Sequence, residues 1–325
     1  MVVRPAAACP GGRVEIRGGS FDVSAGLPDV RLGDVRARLA SARPGRLVVI
    51  VPPDAPGGDV PVVVAGRVED APVLRVGTLV AEGLHQVDNP VFDAAGRLYV
   101  TYSGTRGQRV PVSIFRIDPS GARESLVTGL VNPTAMAFGP DGRLYVSSRF
   151  EGVVYRVDDQ GHYEPVVSDV GVACGLAFAA DGTLFVGDRS GTIFRVLPNG
   201  RATMMATLPP SVAAFHLAMG PDGLLYVTAP TLTSRDRLYR IHMDGRVETV
   251  WVGFGRPQGL AFGPDGALYV AEAMSGASGI YRIRPDTPAE PELLVTGAGL
   301  VGLAFDPAGA LVVANNERVW RIGAV

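Results

Sequence analysis

Lysine is missing from this chain altogether: all 30 of its cationic side chains are arginine. Biased codon usage explains that without any function, so the count alone does not argue for anion recognition by guanidinium groups. The formal net charge of −2 gives no global attraction for nucleic acid or an anionic membrane. Only two cysteines occur, Cys9 and Cys174, in segments that read as different domains. That excludes a disulfide framework and a cysteine-rich metal site. No apolar run approaches the roughly 18 residues of a membrane span. The opening "MVVRPAAACPGG" lacks the apolar segment of a secretory signal, so a cytoplasmic location is expected. H-E-x-x-H, G-x-S-x-G and paired C-x-x-C motifs are absent. "GAGLVG" (297–302) matches a dinucleotide fingerprint in form only, because no helix follows it to cradle a phosphate.

What is plentiful is apolar residues (47%) together with 42 glycines and 26 prolines. Apolar residues are evenly spread, so the combination reads as turn-rich β structure. Six segments then repeat one pattern: 89–100, 133–146, 173–186, 214–227, 257–270 and 300–313. "GLAFGPDGALYV" is its clearest form. The turn glycines Gly96, Gly142, Gly182, Gly223, Gly266 and Gly309 are 46, 40, 41, 43 and 43 residues apart, the length of a four-stranded propeller blade. In each unit an inner strand a ends in an Asp-Gly-type turn and strand b follows as Leu-Tyr-Val or a variant. Strand c carries Arg116, Arg156, Arg195, Arg240, Arg282 or Arg321, whose recurrence marks scaffold. Strand d is more polar.

The sixth unit ends at "VWRIGAV" without a strand d, and "APVLRVGTLVAEGL" (71–84) precedes the first unit as a candidate for it. Supplying that strand from the N-terminal side closes the ring and leaves no open edge. The expectation is therefore an all-β chain. A six-bladed β-propeller spans 71–325, preceded over 1–70 by a small immunoglobulin-like β-sandwich.

Two resemblances extend this reading. "PGGRVEIRGGSF…PPDAPGGDVPVVV" resembles the IPT/TIG immunoglobulin-like family, which implies a spacer or a module for protein contact. The propeller, through "GLAFGPDGALYV", resembles the NHL-repeat proteins and the senescence-marker-protein and gluconolactonase family. That fold hosts lactonases, lyases, sensors and adaptors, so function has to be argued from the site.

Strands a and b meet at the Asp-Gly turn, so the start of a and the end of b share the opposite face, where a ligand is expected. Eight residues before each turn glycine stand Asp88, Thr134, Cys174, Phe215, Gln258 and Val301. In the gluconolactonase-like family a divalent cation, usually calcium, is held in this register by Glu, Asn and Asp from the first, fourth and fifth blades. Asp88 matches the first and is the one metal-ligand candidate; Phe215 and Gln258 replace the others. Calcium takes about six to eight oxygens, so this set is thin, and Gln258 cannot accept a proton as a carboxylate does. The metal site reads as dismantled, and no cofactor is firmly expected.

One residue on stand Asn89, Ala135, Gly175, His216, Gly259 and Gly302. His216 is the bulky, titratable exception in a small-residue ring and, with Asp88, is the catalytic candidate. His85, Asn89, Tyr102, Arg149, Cys174, Asp188, Arg189, Phe215, Arg256, Gln258, Glu272 and Asn315 are the candidates for contacting substrate. A solvated rim is the plainer reading of several of these, and a buried small hydrophobe that of Cys174. His162 and His242 lie in outer turns and read as surface residues.

The expected ligand is a small polar or anionic molecule, held by arginine in the axial funnel. A gluconolactonase-like hydrolase acting on a lactone or ester, or a lyase, is the leading function. The alternative is a non-catalytic NHL-type scaffold that binds a ligand or a protein, with the N-terminal unit adding a contact surface. RNA binding is disfavoured by the net charge.

Overall fold

The computed structural model describes residues 1–18, 21–24, 26–66, 69–197, 199–287 and 289–324. Gly19 and Ser20 of the immunoglobulin-like motif, and Arg67 at the end of its last run, lie outside the described residues. Every regular element among the described residues is a strand, and no helix there is long and apolar enough to cross a membrane.

Five of the repeats fold as antiparallel four-stranded sheets in sequence order a-b-c-d, here called blades. Blade 2 is typical: Pro133–Phe138, Leu144–Ser148, Val153–Val157 and Tyr163–Val167. A sixth sheet takes strands a to c from Leu300–Phe305, Leu311–Asn315 and Arg318–Gly323, and its outer strand from Thr78–Glu82. The chain therefore closes the propeller on itself. The inner strands alternate little in burial, because both of their faces pack against neighbouring blades.

The hairpin between a and b is a four-residue turn whose last residue is the repeat glycine. In blade 2, Gly142 N–H donates to Gly139 O at 3.0 Å and Gly139 N–H to Arg143 O at 2.9 Å. All six turn glycines have φ between +71° and +86°. That left-handed conformation is why glycine recurs there, in the three-residue hairpin form rather than the two-residue Asn-Gly type. The blades are stitched by the tyrosine of strand b, set edge-on against the last phenylalanine of the next strand a. Tyr145 and Phe178 are 4.8 Å apart between ring centroids, and Tyr226 and Phe262 are 5.0 Å apart. Such pairs add roughly 0.5–1.5 kcal/mol each beyond their burial.

The N-terminal residues form two sheets over one core. One sheet orders Val2–Arg4, Arg13–Arg17, Arg46–Ile50 and Arg38–Arg43. The other contains Ala7–Ala8, Val73–Val76, Gly58–Val64, Val30–Leu32 and Val35–Arg36. Val14, Ile16, Leu47 and Val49 from the first bury against Leu32, Val62 and Leu74 from the second. The stretch 71–84 is thus divided: Val73–Val76 pairs with Gly58–Val64, and only Thr78–Glu82 joins the last blade. Gly77 marks the crossing, where an added Cβ would lie 2.9 Å from the Trp320 side chain.

The two parts share a sheet. Ala7–Ala8 pairs in parallel with Val295–Thr296, the outer strand of blade 5, and on its other side with Arg75–Val76. Cys9 is buried in the core of blades 5 and 6. Both cysteines are free.

Candidate functional site

Asp88 and His216, 128 residues apart, meet across the axis. The His216 imidazole Nδ1 lies 2.7 Å from Asp88 Oδ1, and both side chains are buried. A carboxylate accepts and does not donate, so an ionised Asp88 takes its bond from Nδ1–H, and in the neutral imidazole Nε2 is then the acceptor. The same Oδ1 accepts the Asn89 N–H at 2.7 Å. His216 begins strand a of blade 4, while Asp88 precedes that of blade 1, so opposite sides of the ring are joined. His216 Nε2 is buried and has no hydrogen-bond partner among the described residues. Burying such a nitrogen without a partner costs about 1–3 kcal/mol, which marks it as a group awaiting one.

Next to Asp88, at its neighbour Val87, opens a cavity of about 500 Å³ lined also by Arg149, Arg189, Arg256, Gln258, Val301 and Asn316, among others; neither Asp88 nor His216 is in its lining. Gln258 and Val301 occupy the same register as Asp88; His216 stands one residue deeper along its strand. No carboxylate lines the cavity among the described residues. Arg189 is held in place by its own loop, donating from Nε to Ser211 O at 3.2 Å and from Nη2 to Val212 O at 3.1 Å. Arg149 donates to Gly104 O at 3.4 Å. Burial lowers the Arg149 pKa from its ordinary value, and the neighbouring Arg189 charge adds to this. Three arginines around one opening, with no carboxylate in its lining, present a ready site for an anion.

Several expected contacts do other work. Asp188 turns inward to accept the Val172 N–H at 2.7 Å and the Ser190 hydroxyl. Glu272 accepts the N–H groups of Gly255, Arg256 and Met274 at 2.7, 2.8 and 2.6 Å. Both carboxylates clamp loops and are spent there, although burial still raises the Glu272 pKa. Asn315 accepts from Glu317 and Arg318 in its own turn, so its neighbour Asn316 is the one that reaches the cavity wall. Asn89 fills the axis, donating to Leu260 O at 2.8 Å and accepting from Leu303 N–H at 3.0 Å. Phe215 is core. Cys174 is buried, which pushes its thiol up to about 12, so it is protonated at neutral pH.

His85 pairs with Tyr102 beside the rim, their rings edge-on at 6.1 Å. Burial, and after it the Arg149 charge, lower its pKa from the ordinary imidazole value. His162 is exposed, and His242 lies 3.2 Å from Glu248 in an outer turn. The cavity residues that sequence reasoning missed include Val87, Val212, Ala213, Ala214 and Gly299. They lie in connections into strand a and carry no chemical signature.

The cation implied by the gluconolactonase resemblance does not fit these residues. Asp88 is engaged with His216 and Asn89, Phe215 is buried in core, and no group of three or more metal-binding side chains exists among the described residues.

A family model described as the virginiamycin B lyase family matches residues 122–324. The chain belongs to that family. Among solved structures, it is 19% identical to a putative gluconolactonase, with a TM-score of 0.61 over 76% of this chain and 91% of that one. It is 15% identical, at TM-score 0.57 over 96% and 100%, to a catalytically inactive histidine-to-alanine virginiamycin B lyase from Staphylococcus aureus with quinupristin. An auxiliary nutrient binding protein from Bacteroides ovatus is 17% identical at TM-score 0.55, over 99% of this chain and 96% of that one. At these identities the structures establish a shared β-propeller fold. No curated protein sequence matches the chain.

Proposed function

We propose that this member of the lyase family binds a small organic anion in the arginine-lined cavity and acts on it by acid–base chemistry without a metal. The observation that carries the reading is the buried Asp88–His216 pair, its Nε2 without a partner among the described residues, beside an opening lined by three arginines and no carboxylate. Asp88 fixes the imidazole tautomer, leaving Nε2 to accept a proton. In an elimination, Nε2 takes the proton from the carbon beside an activating carbonyl and its electron pair becomes the new double bond. The carbon–oxygen bond breaks, and the leaving oxygen recovers the proton from the imidazolium. The arginines bind the carboxylate or phosphate that anchors the substrate. A hydrolase would use the same imidazole to activate water on a lactone or ester.

The buried position of His216 favours a second reading, a non-catalytic anion binder in which the pair only braces the axis. Incubating the protein with a panel of anionic lactones, cyclic esters and β-oxygenated carboxylates, with a chelator present, separates the two. Turnover that His216→Gln removes while leaving ligand affinity intact supports the enzyme. Binding without turnover across the panel supports the binder. The two sheets of the N-terminal unit over one core support the immunoglobulin-like IPT/TIG reading.

A further inference from the structure

The axial cavity does not end at the propeller. A second cavity of about 510 Å³ shares Ala273 and Gly299 with it and runs between the N-terminal unit and blade 5 with its connection into blade 6. Its far wall is Arg13, Arg38 and Ile50; its floor is the glycine-rich approach to the last inner strand, including Gly297 and Gly299. This is the stretch "GAGLVG", whose glycines keep the passage low. At Gly299, φ is +60° and nothing lies within 4 Å of an added Cβ.

Charge singles this trough out. Arg149, Arg189 and Arg256 stand at one end, Arg13 and Arg38 at the other, and no carboxylate lines either cavity among the described residues. In a chain with 32 acidic and 30 basic side chains, five arginines thus line these two cavities with no carboxylate in either lining. Elsewhere on the N-terminal unit arginines do find acids: Arg31 and Arg36 share Asp29, and Arg46 meets Glu15.

The junction that positions Arg13 is fixed. Its own N–H donates to Thr296 Oγ1 at 3.1 Å, Cys9 N–H donates to Thr296 O at 2.7 Å, and an added Cβ on Gly12 would lie 2.7 Å from that oxygen. Backbone packed this closely holds the N-terminal unit against blade 5, so the trough is built rather than left between loosely tethered parts.

We propose that Arg13 and Arg38 form a second anion subsite, and that the ligand is an elongated molecule with an anionic group at each end, lying across Gly299. The inference rests on the reading of the axial cavity as an anion site.

Calorimetric titration of the full chain with straight-chain monocarboxylates and α,ω-dicarboxylates of increasing length tests it. Beyond a threshold length, dicarboxylates are expected to bind about tenfold or more tighter than monocarboxylates of equal length, because the second contact is intramolecular. The double variant Arg13→Ala/Arg38→Ala should erase that step while leaving monocarboxylate affinity unchanged; Arg189→Ala should weaken both series. Monocarboxylate binding with no step at any length, or a step that survives the double variant, overturns this inference alone. Silence of both series overturns the axial anion site along with it. Both arginines are exposed, and unchanged thermal melting of the double variant shows that a lost step is not lost folding.

Discussion

The propeller carries two sets of arginines, and their surroundings differ. Those of strand c recur in every blade and nearly all find an acid: Arg116 meets Glu124, Arg156 meets Glu164, Arg240 meets Glu248 and Asp286, Arg282 meets Asp265, and Arg321 meets Asp306. Arg195 instead donates to Met243 O. The arginines of the mouth occur once each, at the ends of strand b or before strand a, and none meets an acid among the described residues. Carboxylates divide the same way. On the turn face Asp141 and Asp222 accept from tyrosine hydroxyls of their own hairpins. On the ligand face Asp188 and Glu272 have withdrawn into loop backbone, which leaves the arginine charge uncompensated. What recurs holds the blades, and what departs from the repeat builds the cavity.

The sharpest break in that contrast is expected at Asp88. Asp88→Ala strands a buried donor, His216 Nδ1–H, and a part-buried one, Asn89 N–H. At about 1–3 kcal/mol each the variant should lose roughly 3 kcal/mol of unfolding free energy in urea. Asp222→Ala on the turn face removes bonds to Tyr226 and Leu224 that water can replace, and should lose about 1 kcal/mol. Equal losses would mean that the axial pair is an ordinary hairpin-type contact.

Next in size is the axis itself. Gly302→Ala would put its Cβ 2.5 Å from Asp88 O, a backbone atom with nowhere to go. Overpacking of this kind costs about 1–3 kcal/mol, and because it moves Asp88 it should also perturb the His216 ring signals in NMR. Gly266→Asn, in a turn with nothing near its Cβ and a φ of +72° that asparagine tolerates, should be close to neutral.

For ligand binding the order reverses. Arg189→Ala removes a guanidinium already held by two backbone carbonyls, and should weaken carboxylate or phosphate binding by about 1.5–3 kcal/mol, the usual value of a bond to a charged group. Stability should hardly move. Native Cys174, with its thiol protonated and buried beneath this mouth, should resist iodoacetamide at pH 8 until the protein is unfolded.

How much of this was legible beforehand follows from the same contrast. Repetition exposes the blades, the turn glycines and the scaffold role of the strand-c arginines, because six copies of one physical problem share one solution. Two adjacent registers pointed to Asp88 and His216 near the axis, since inner strands must converge there. Their direct bond was not predictable, because register says nothing about which of six side chains bridges a ring. Asp188 and Glu272 misled for a related reason: their position after strand b is right for a rim, but nothing local shows that loop N–H groups lie closer than any ligand. The stretch 71–84 was read as one strand, whereas its pairing splits at Gly77, a long-range consequence of Trp320 pressing on that point.

The smallest expected effect is the one that most directly tests the division between the two sets. Arg282 pairs with Asp265 at the surface with both side chains partly exposed. Exposed pairs contribute about 0.2–1 kcal/mol, and salt screens them. Arg282→Ala should therefore lower the urea midpoint slightly at low ionic strength and not at all near 1 M salt. It should leave anion affinity at the mouth unchanged, since the turn face lies at the opposite end of the strands. An affinity loss matching that of Arg189→Ala would mean that the anion responds to total arginine charge rather than to the built cavity, and the separation of scaffold from site would fall with it.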